Sequence, residues 1–407
     1  MKRILIYSDC SLFGGSEHAV INLLRNEELK HCIQYAFAYR YHSSYHKKIS
    51  ELLSGVNDIQ LYPISLFTNY EVESFLRKKI RNRTLFRIAF SPFYFLEKIG
   101  FYELINKFFL TKFINKHTFD IVHVNNGGYP AARSCLLMAK IAKKKGAKVI
   151  LQVNNIADSE AGGDNKTNAF IRRSVDKYIT ASQGAKEALC NVLSVSEDRV
   201  LTIPHFVPYV NPLKKREEIL GRHSISESTV VIVEVALLQK RKGQEELIRA
   251  IVELSNKIDK TVELLLIGNG ENRERIISVI KECQQGNLHV QLLGYRDDYI
   301  DYLNAADIVA LPSIKDEDMP LTIISALSLG KPIVSTKLAG IPEEIEDGVS
   351  GILVDPQSDN FVEELSGALL KAYHNKAELS FNARLRYEKV FSKTKFEESY
   401  LKLYNSL

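Results

Sequence analysis

Glu317 stands in a polar loop, residues 313–320, between the apolar run 308–311 and a helix expected at 320–329. Pro320 opens that helix, and Gly330 closes it with Pro332 beyond. A loop at the end of a buried strand is well placed to present groups to a ligand. The free N–H groups of the following helix start carry partial positive charge, which favours a diphosphate. A second such loop, Gln239-Lys240-Arg241-Lys242-Gly243, lies between the run 230–235 and a helix expected at 244–258. It reads as a seat for negative charge or as a solvated basic turn. The stretch Phe13-Gly14-Gly15-Ser16-Glu17 follows the first apolar run and opens the first helix. Its glycines let the main chain approach a phosphate, or simply turn it. Gly268-Asn269-Gly270-Glu271 also begins a helix but lacks the third glycine of a dinucleotide fingerprint.

Taken together, residues 290–355 and these loops resemble the nucleotide-sugar site of retaining glycosyltransferases of the GT-B fold, the family-four or group 1 glycosyltransferases. The family pattern is a Glu in a Gly- or Pro-containing loop and a second Glu on the following helix. Glu317 matches the first, and Ser325 stands at the second. The resemblance implies that Glu317 faces the donor sugar. A carboxylate at the second position would grip the ribose, where Ser325 offers one hydroxyl and cannot accept two charge-assisted hydrogen bonds. Lys242 matches the lysine that neutralises the leaving diphosphate. Leu237 stands where the family has Arg, with Lys240 and Arg241 close enough in sequence to substitute. The resemblance further assigns donor contacts to Gly14, Gly15, Arg241, Gly268, the loop Tyr295-Arg296 and the stretch Met319-Pro320-Leu321-Thr322, with Glu317 and Lys242 as the catalytic pair.

On the acceptor side, the loop beginning Asn125-Asn126 is a candidate for contact, with ordinary turn chemistry as its plainer reading. Asn154 stands where many relatives have a histidine; it can orient a hydroxyl but cannot take a proton. His123 reads as a satisfied interior histidine and His205 as a packing residue. Asp316-Glu317-Asp318 imitates a metal-binding Asp-x-Asp, yet it stands at the GT-B carboxylate loop. No metal and no cofactor is therefore expected, since Lys242 and the helix starts supply the positive charge. The implied reaction is transfer of a sugar from a UDP- or GDP-sugar to a glycan or lipid-linked acceptor in cell-surface polysaccharide synthesis. Front-face displacement with retention fits the single carboxylate better than a two-carboxylate scheme. The alternatives are a catalytically weak nucleotide-sugar-binding relative acting as a partner or scaffold, motivated by Ser325, Leu237 and Asn154, and a scaffold on a lipid surface.

The elements that must hold these groups alternate between extended and helical patterns. Strands are expected at 3–8, 34–39, 121–124, 149–153, 177–180 and 201–204, then at 230–235, 262–267, 290–293, 308–311, 333–336 and 352–354. Helices are expected at 17–26, 130–144, 183–193, 244–258, 271–284 and 320–329. Such alternation predicts an α/β fold of two Rossmann-like, doubly wound domains facing a cleft. The chain's 407 residues also exceed what one core usually supports. Pro204, Pro208 and Pro212 mark the boundary, giving domains at 1–208 and 209–391, with a last helix at 392–407 returning to the first domain.

The net charge of +5 is unevenly spread: residues 75–117 hold ten Lys or Arg against Glu97 and Glu103, with eleven Phe or Tyr. Cations interleaved with aromatic rings suit an anionic membrane surface. A helical insert packed on its domain with solvated charges is the other reading. Nucleic acid is a poorer match, because no recognised module accompanies the patch. Five scattered cysteines without motif spacing read as reduced thiols, and no apolar run is long enough to span a bilayer. A cytoplasmic protein, peripheral on the inner membrane face, is expected.

Overall fold

Short runs of β-branched and aliphatic residues, buried on both faces, give the chain its strands. The computed structural model describes residues 1–10, 13–56, 58–162, 165–283 and 287–407. The chain divides into two units. The first comprises Met1–Thr180, Lys186–Leu201 and Leu401–Leu407; the second comprises Ala181–Ala185 and Thr202–Tyr400. The long segment of the second unit starts at Thr202, and the proline-marked boundary was expected after residue 208. Within it, the Tyr387 hydroxyl donates to the Val207 carbonyl at 2.8 Å and Phe206 packs on Phe396.

In the first unit, β1 (Lys2–Ser8), β2 (Ile33–Arg40), β3 (Gln60–Ile64), β4 (Ile121–Asn126), β5 (Lys148–Val153), β6 (Lys177–Thr180) and β7 (Val200–Thr202) form one sheet in the order β3-β2-β1-β4-β5-β6-β7. Pairing is parallel from β3 through β6. The core sits on β1, where Ile4, Leu5, Ile6 and Tyr7 are fully buried. β3 is absent from the expected set because Pro63 interrupts its pattern. Proline is tolerated there because the strand closes one edge of the sheet.

The second unit holds β8 (Val230–Val235), β9 (Val262–Ile267), β10 (Leu288–Gly294), β11 (Ile308–Leu311), β12 (Ile333–Thr336) and β13 (Ile352–Val354), all parallel in the order β10-β9-β8-β11-β12-β13. Each sheet reverses its strand order once, between β1 and β4 in the first and between β8 and β11 in the second. Loops at the carboxyl ends of those strand pairs diverge, and the gap between them is where doubly wound folds take ligands. The helices expected at 244–258 and 320–329 are Gln244–Ser255 and Leu321–Ser328. The one expected at 271–284 is Arg273–Cys283, with Gln284 outside the described residues.

Candidate active site

Lys242 and Glu317 leave from the two strands that flank the second unit's strand-order reversal, β8 and β11. The loop after β8 closes with a single turn, Lys240–Lys242, and Gly243 at φ +76° starts the helix Gln244–Ser255. A Cβ at Gly243 would lie 2.1 Å from the Pro312 carbonyl oxygen, so glycine lets this loop press against the one that follows β11. That approach brings the charges together. Lys242 Nζ donates to Glu317 Oε2, which also accepts from Ser313 Oγ at 3.1 Å and lies 3.7 Å from Arg241 Nη1. Arg241 is further fixed by Gln239 Oε1 at 2.9 Å and the Asp316 carbonyl at 2.7 Å. Both members of the central pair are largely shielded, with side-chain exposures of 9% for Lys242 and 13% for Glu317.

Three further carboxyl groups surround this pair, and burial acts on all of them in the same direction. Burial pushes Asp318 up to about 7, against the Ser182 hydroxyl that donates to it, with Glu343 and Glu317 adding to the rise. Glu344 is fully buried and neither of its oxygens has a hydrogen-bond partner. Burial, then the charges of Asp318, Glu317 and Glu343, hold it well above the usual carboxylate range. Glu234, on β8, is raised to about 8 by burial, which Lys242 and the Gln244 amide only partly offset. Sequence reading noted Asp318 only within the acidic triplet and did not select Glu344 or Glu234. One signal for Glu234 was present, a lone carboxylate in the otherwise aliphatic run Val-Val-Ile-Val-Glu-Val.

The other donor-side candidates fall around the same strand ends. Pro320 caps the helix Leu321–Ser328, Met319 is buried, and Thr322 Oγ1 donates to the Val235 carbonyl at 3.0 Å, tying the helix start to β8. Ser325 is fully buried; its hydroxyl donates back to the Leu321 carbonyl at 2.9 Å and also meets Tyr299. Leu237 is exposed, whereas its carbonyl accepts from Gln244. Gly268, at φ +145°, is required by packing, because a Cβ would meet the Ala236 carbonyl at 1.8 Å. Tyr295 is exposed. Arg296 makes a two-pronged bond to Asp298 at 2.9 Å, which with Lys214 holds that carboxyl well below its usual range. Asp316 is exposed at φ +51° while Asp318 is buried against Ser182, so the acidic triplet diverges. Among the described residues, no group of three or more His, Cys, Asp or Glu has a metal-holding arrangement.

Gly14 and Gly15 belong to the first unit, at the start of the helix Gly15–Leu24. The acceptor-side asparagines converge in that unit as well. Asn154 Nδ2 donates to Asn125 Oδ1 at 2.7 Å, Gln152 donates to Asn154, and Asn126 Nδ2 donates to the Ala131 carbonyl. Asn125 and Asn126 are buried, so this network sets the loop after β4. His123 lies beneath it, between Gln152 Oε1 and the Tyr404 hydroxyl at 2.9 Å each, and burial lowers it to about 4. His205 is likewise buried and lowered to about 4.

Known proteins match both the sequence and the fold. Residues 215–388 match the family model of glycosyl transferases group 1, and residues 66–209 match that of glycosyltransferase family 4. The chain belongs to this glycosyltransferase family. It is 24% identical over 388 residues to the Escherichia coli UDP-Gal:alpha-D-GlcNAc-diphosphoundecaprenol alpha-1,3-galactosyltransferase, covering 85% of this chain and 94% of that one. It is also 24% identical to the N-acetyl-alpha-D-glucosaminyl L-malate synthase of Bacillus anthracis over 74% of this chain and 79% of the relative. Anabaena HepE, solved in complex with UDP, superposes with a TM-score of 0.73 at 15% identity over the whole of both chains. The two parallel sheets are therefore those of a GT-B glycosyltransferase, and this chain is a transferase enzyme.

Proposed function

We propose that this glycosyltransferase moves a sugar with retention from a nucleotide diphosphate donor, UDP-linked in the first instance, to a hydroxyl of a glycan or lipid-linked acceptor in cell-surface polysaccharide synthesis. The observation that carries the proposal is the shielded Lys242–Glu317 pair at the strand-order reversal between β8 and β11. An arriving diphosphate attracts Lys242 and Arg241 away from Glu317, which frees the carboxylate to face the sugar. As the glycosidic bond breaks, negative charge grows on the departing phosphate where two cations and the helix start at Leu321 favour it. No metal is needed for that charge. Asp318 and Glu344, where protonated, add no negative charge against the donor.

A lipid-linked acceptor is supported by the helices of residues 75–117. The helix Arg83–Lys98 buries no side chain, and the rings of Phe95, Phe101 and Phe108 are exposed beside Arg83, Arg87, Lys98 and Lys107. Glu317→Ala is expected to lower transfer from a UDP-sugar at least about 100-fold with an unchanged far-UV circular dichroism spectrum. Wild-type turnover by that variant overturns the assignment of Glu317. NMR of the product formed by the wild-type enzyme tests retention directly, since an inverted anomer excludes it.

A further inference from the structure

The first unit contains a cavity of about 240 Å³ that none of the donor-side residues lines. It opens at the carboxyl ends of β1 and β4, the place where that sheet reverses its strand order and where doubly wound domains take ligands. Asp9, one residue beyond β1, forms one side with Ser134, from the helix Arg133–Lys144. Glu97, Tyr102 and Glu103 come from the helices Arg83–Lys98 and Phe101–Lys116, and Arg133 stands exposed among the lining residues.

We infer that this cavity is an acceptor subsite for one uncharged pyranose ring, an inference that rests on the transferase reading above and extends it to the acceptor. Size limits the occupant: the cavity falls below the roughly 300 Å³ at which drug-sized pockets begin, enough for a single ring. Charge limits it further. Asp9, Glu97 and Glu103 outnumber the lining Arg133 guanidinium and the Arg40 guanidinium paired with Asp9, so phosphates and uronic acids are disfavoured, whereas ring hydroxyls donate to carboxylates through charge-assisted bonds. This excludes the cavity as a second nucleotide site. The lining is held in place before any ligand arrives. Asp9 is gripped by Arg40 at 2.6 Å and by the Ser134 hydroxyl, and the Asn69 amide bonds Glu97. Asn106 bonds the Phe67 main chain in both directions, at 2.8 and 2.9 Å. The outer faces of the same two helices carry the exposed rings and cations, so a sugar borne on a lipid would meet its pocket and its surface on one element pair.

The test titrates the full chain with methyl α-D-glucopyranoside, methyl α-D-galactopyranoside, methyl N-acetyl-α-D-glucosaminide and methyl α-D-glucuronide, followed by ligand-observed NMR, with UDP titrated in parallel. At least one neutral glycoside is expected to bind in the millimolar range, and the glucuronide more weakly than any of them. The Glu97→Gln/Glu103→Gln variant should lose about 5- to 10-fold in neutral-glycoside affinity and gain affinity for the glucuronide, with UDP binding unchanged. If that variant folds poorly, Tyr102→Ala should show the same loss for neutral glycosides. The inference is overturned if no neutral glycoside binds, if affinity is unaltered in the variants, or if the glucuronide binds the wild type as tightly. Failure of UDP to bind would instead count against the donor reading and leave the pocket to be decided by the glycosides.

Discussion

Burial first, and at Asp318 and Glu344 the neighbouring carboxylates after it, drive Asp318, Glu344 and Glu234 toward their neutral forms, which leaves Lys242 to pair with Glu317 and to meet the diphosphate. Lys242→Met should therefore lower kcat about 100- to 1,000-fold and weaken UDP binding, read by steady-state kinetics and calorimetry. Lys242→Arg should recover part of each. The same carboxyls predict a pH dependence. Their folded-state values lie above the unfolded ones, so their stabilising protons are fully bound below about pH 4 and are lost as pH rises through the folded values, about 7 for Asp318 and about 8 for Glu234. Asp318→Asn should thus raise stability at pH 8 by about 1–3 kcal/mol while changing it little near pH 4, measured by urea unfolding at both pH values. Equal effects at the two pH values would rule out titration of Asp318 as the cause. The loops that carry Glu317 and Lys242 were legible in the sequence because they are marked by Pro320, Gly243 and the apolar runs before them. Glu344 was not, because its burial depends on what packs over residues 341–344. Ser325 was seen as a departure from the family pattern, but its bond to the Leu321 carbonyl is a rotamer outcome that spacing does not reveal.

At the scale of elements, the alternation of buried runs with helical stretches gave the central strands of both sheets to within one or two residues. Central parallel strands read as continuous aliphatic runs, which is why β8, β9 and β11 were found with their observed bounds. The weakly patterned parts escaped. β3 carries Pro63 within it, and the helix Arg83–Lys98 has only half-buried residues on its apolar side, so neither shows the fully buried run that marks the central elements. The contact between the loops after β8 and β11 is an element-scale feature with a single weak point. Gly243→Ala is expected to cost about 2–4 kcal/mol in thermal or urea unfolding, since its Cβ meets the Pro312 carbonyl from a left-handed backbone. It should also raise KM for the donor, because the pairing of Lys242 with Glu317 depends on that approach. Unchanged KM would mean that the loop accommodates the methyl group without moving its cations.

At the scale of the whole molecule, no helix among the described residues is long and apolar enough to cross a membrane. In residues 75–117, Phe75, Leu85, Ile88, Tyr94 and Leu104 are more than half exposed, and ten basic residues are interleaved with them in the sequence, the pattern that motivates a test on vesicles. Replacing Arg83, Arg87, Lys98 and Lys107 with Ser should abolish flotation with vesicles containing phosphatidylglycerol, each near-surface cation contributing about 1 kcal/mol. Flotation of the wild type should fall with added salt, and undiminished flotation of the variant would separate these helices from the bilayer. The first unit also draws its residues from both extremes of the sequence. Leu401–Leu407 belongs to it, the Lys2 ammonium donates to the Tyr404 carbonyl, and the Tyr404 hydroxyl meets the buried His123 ring. Translation therefore delivers the whole second unit before the first has its closing piece. A nascent chain passes through a stage in which His123 has not yet met the Tyr404 hydroxyl, an interval during which chaperone binding has the most to protect.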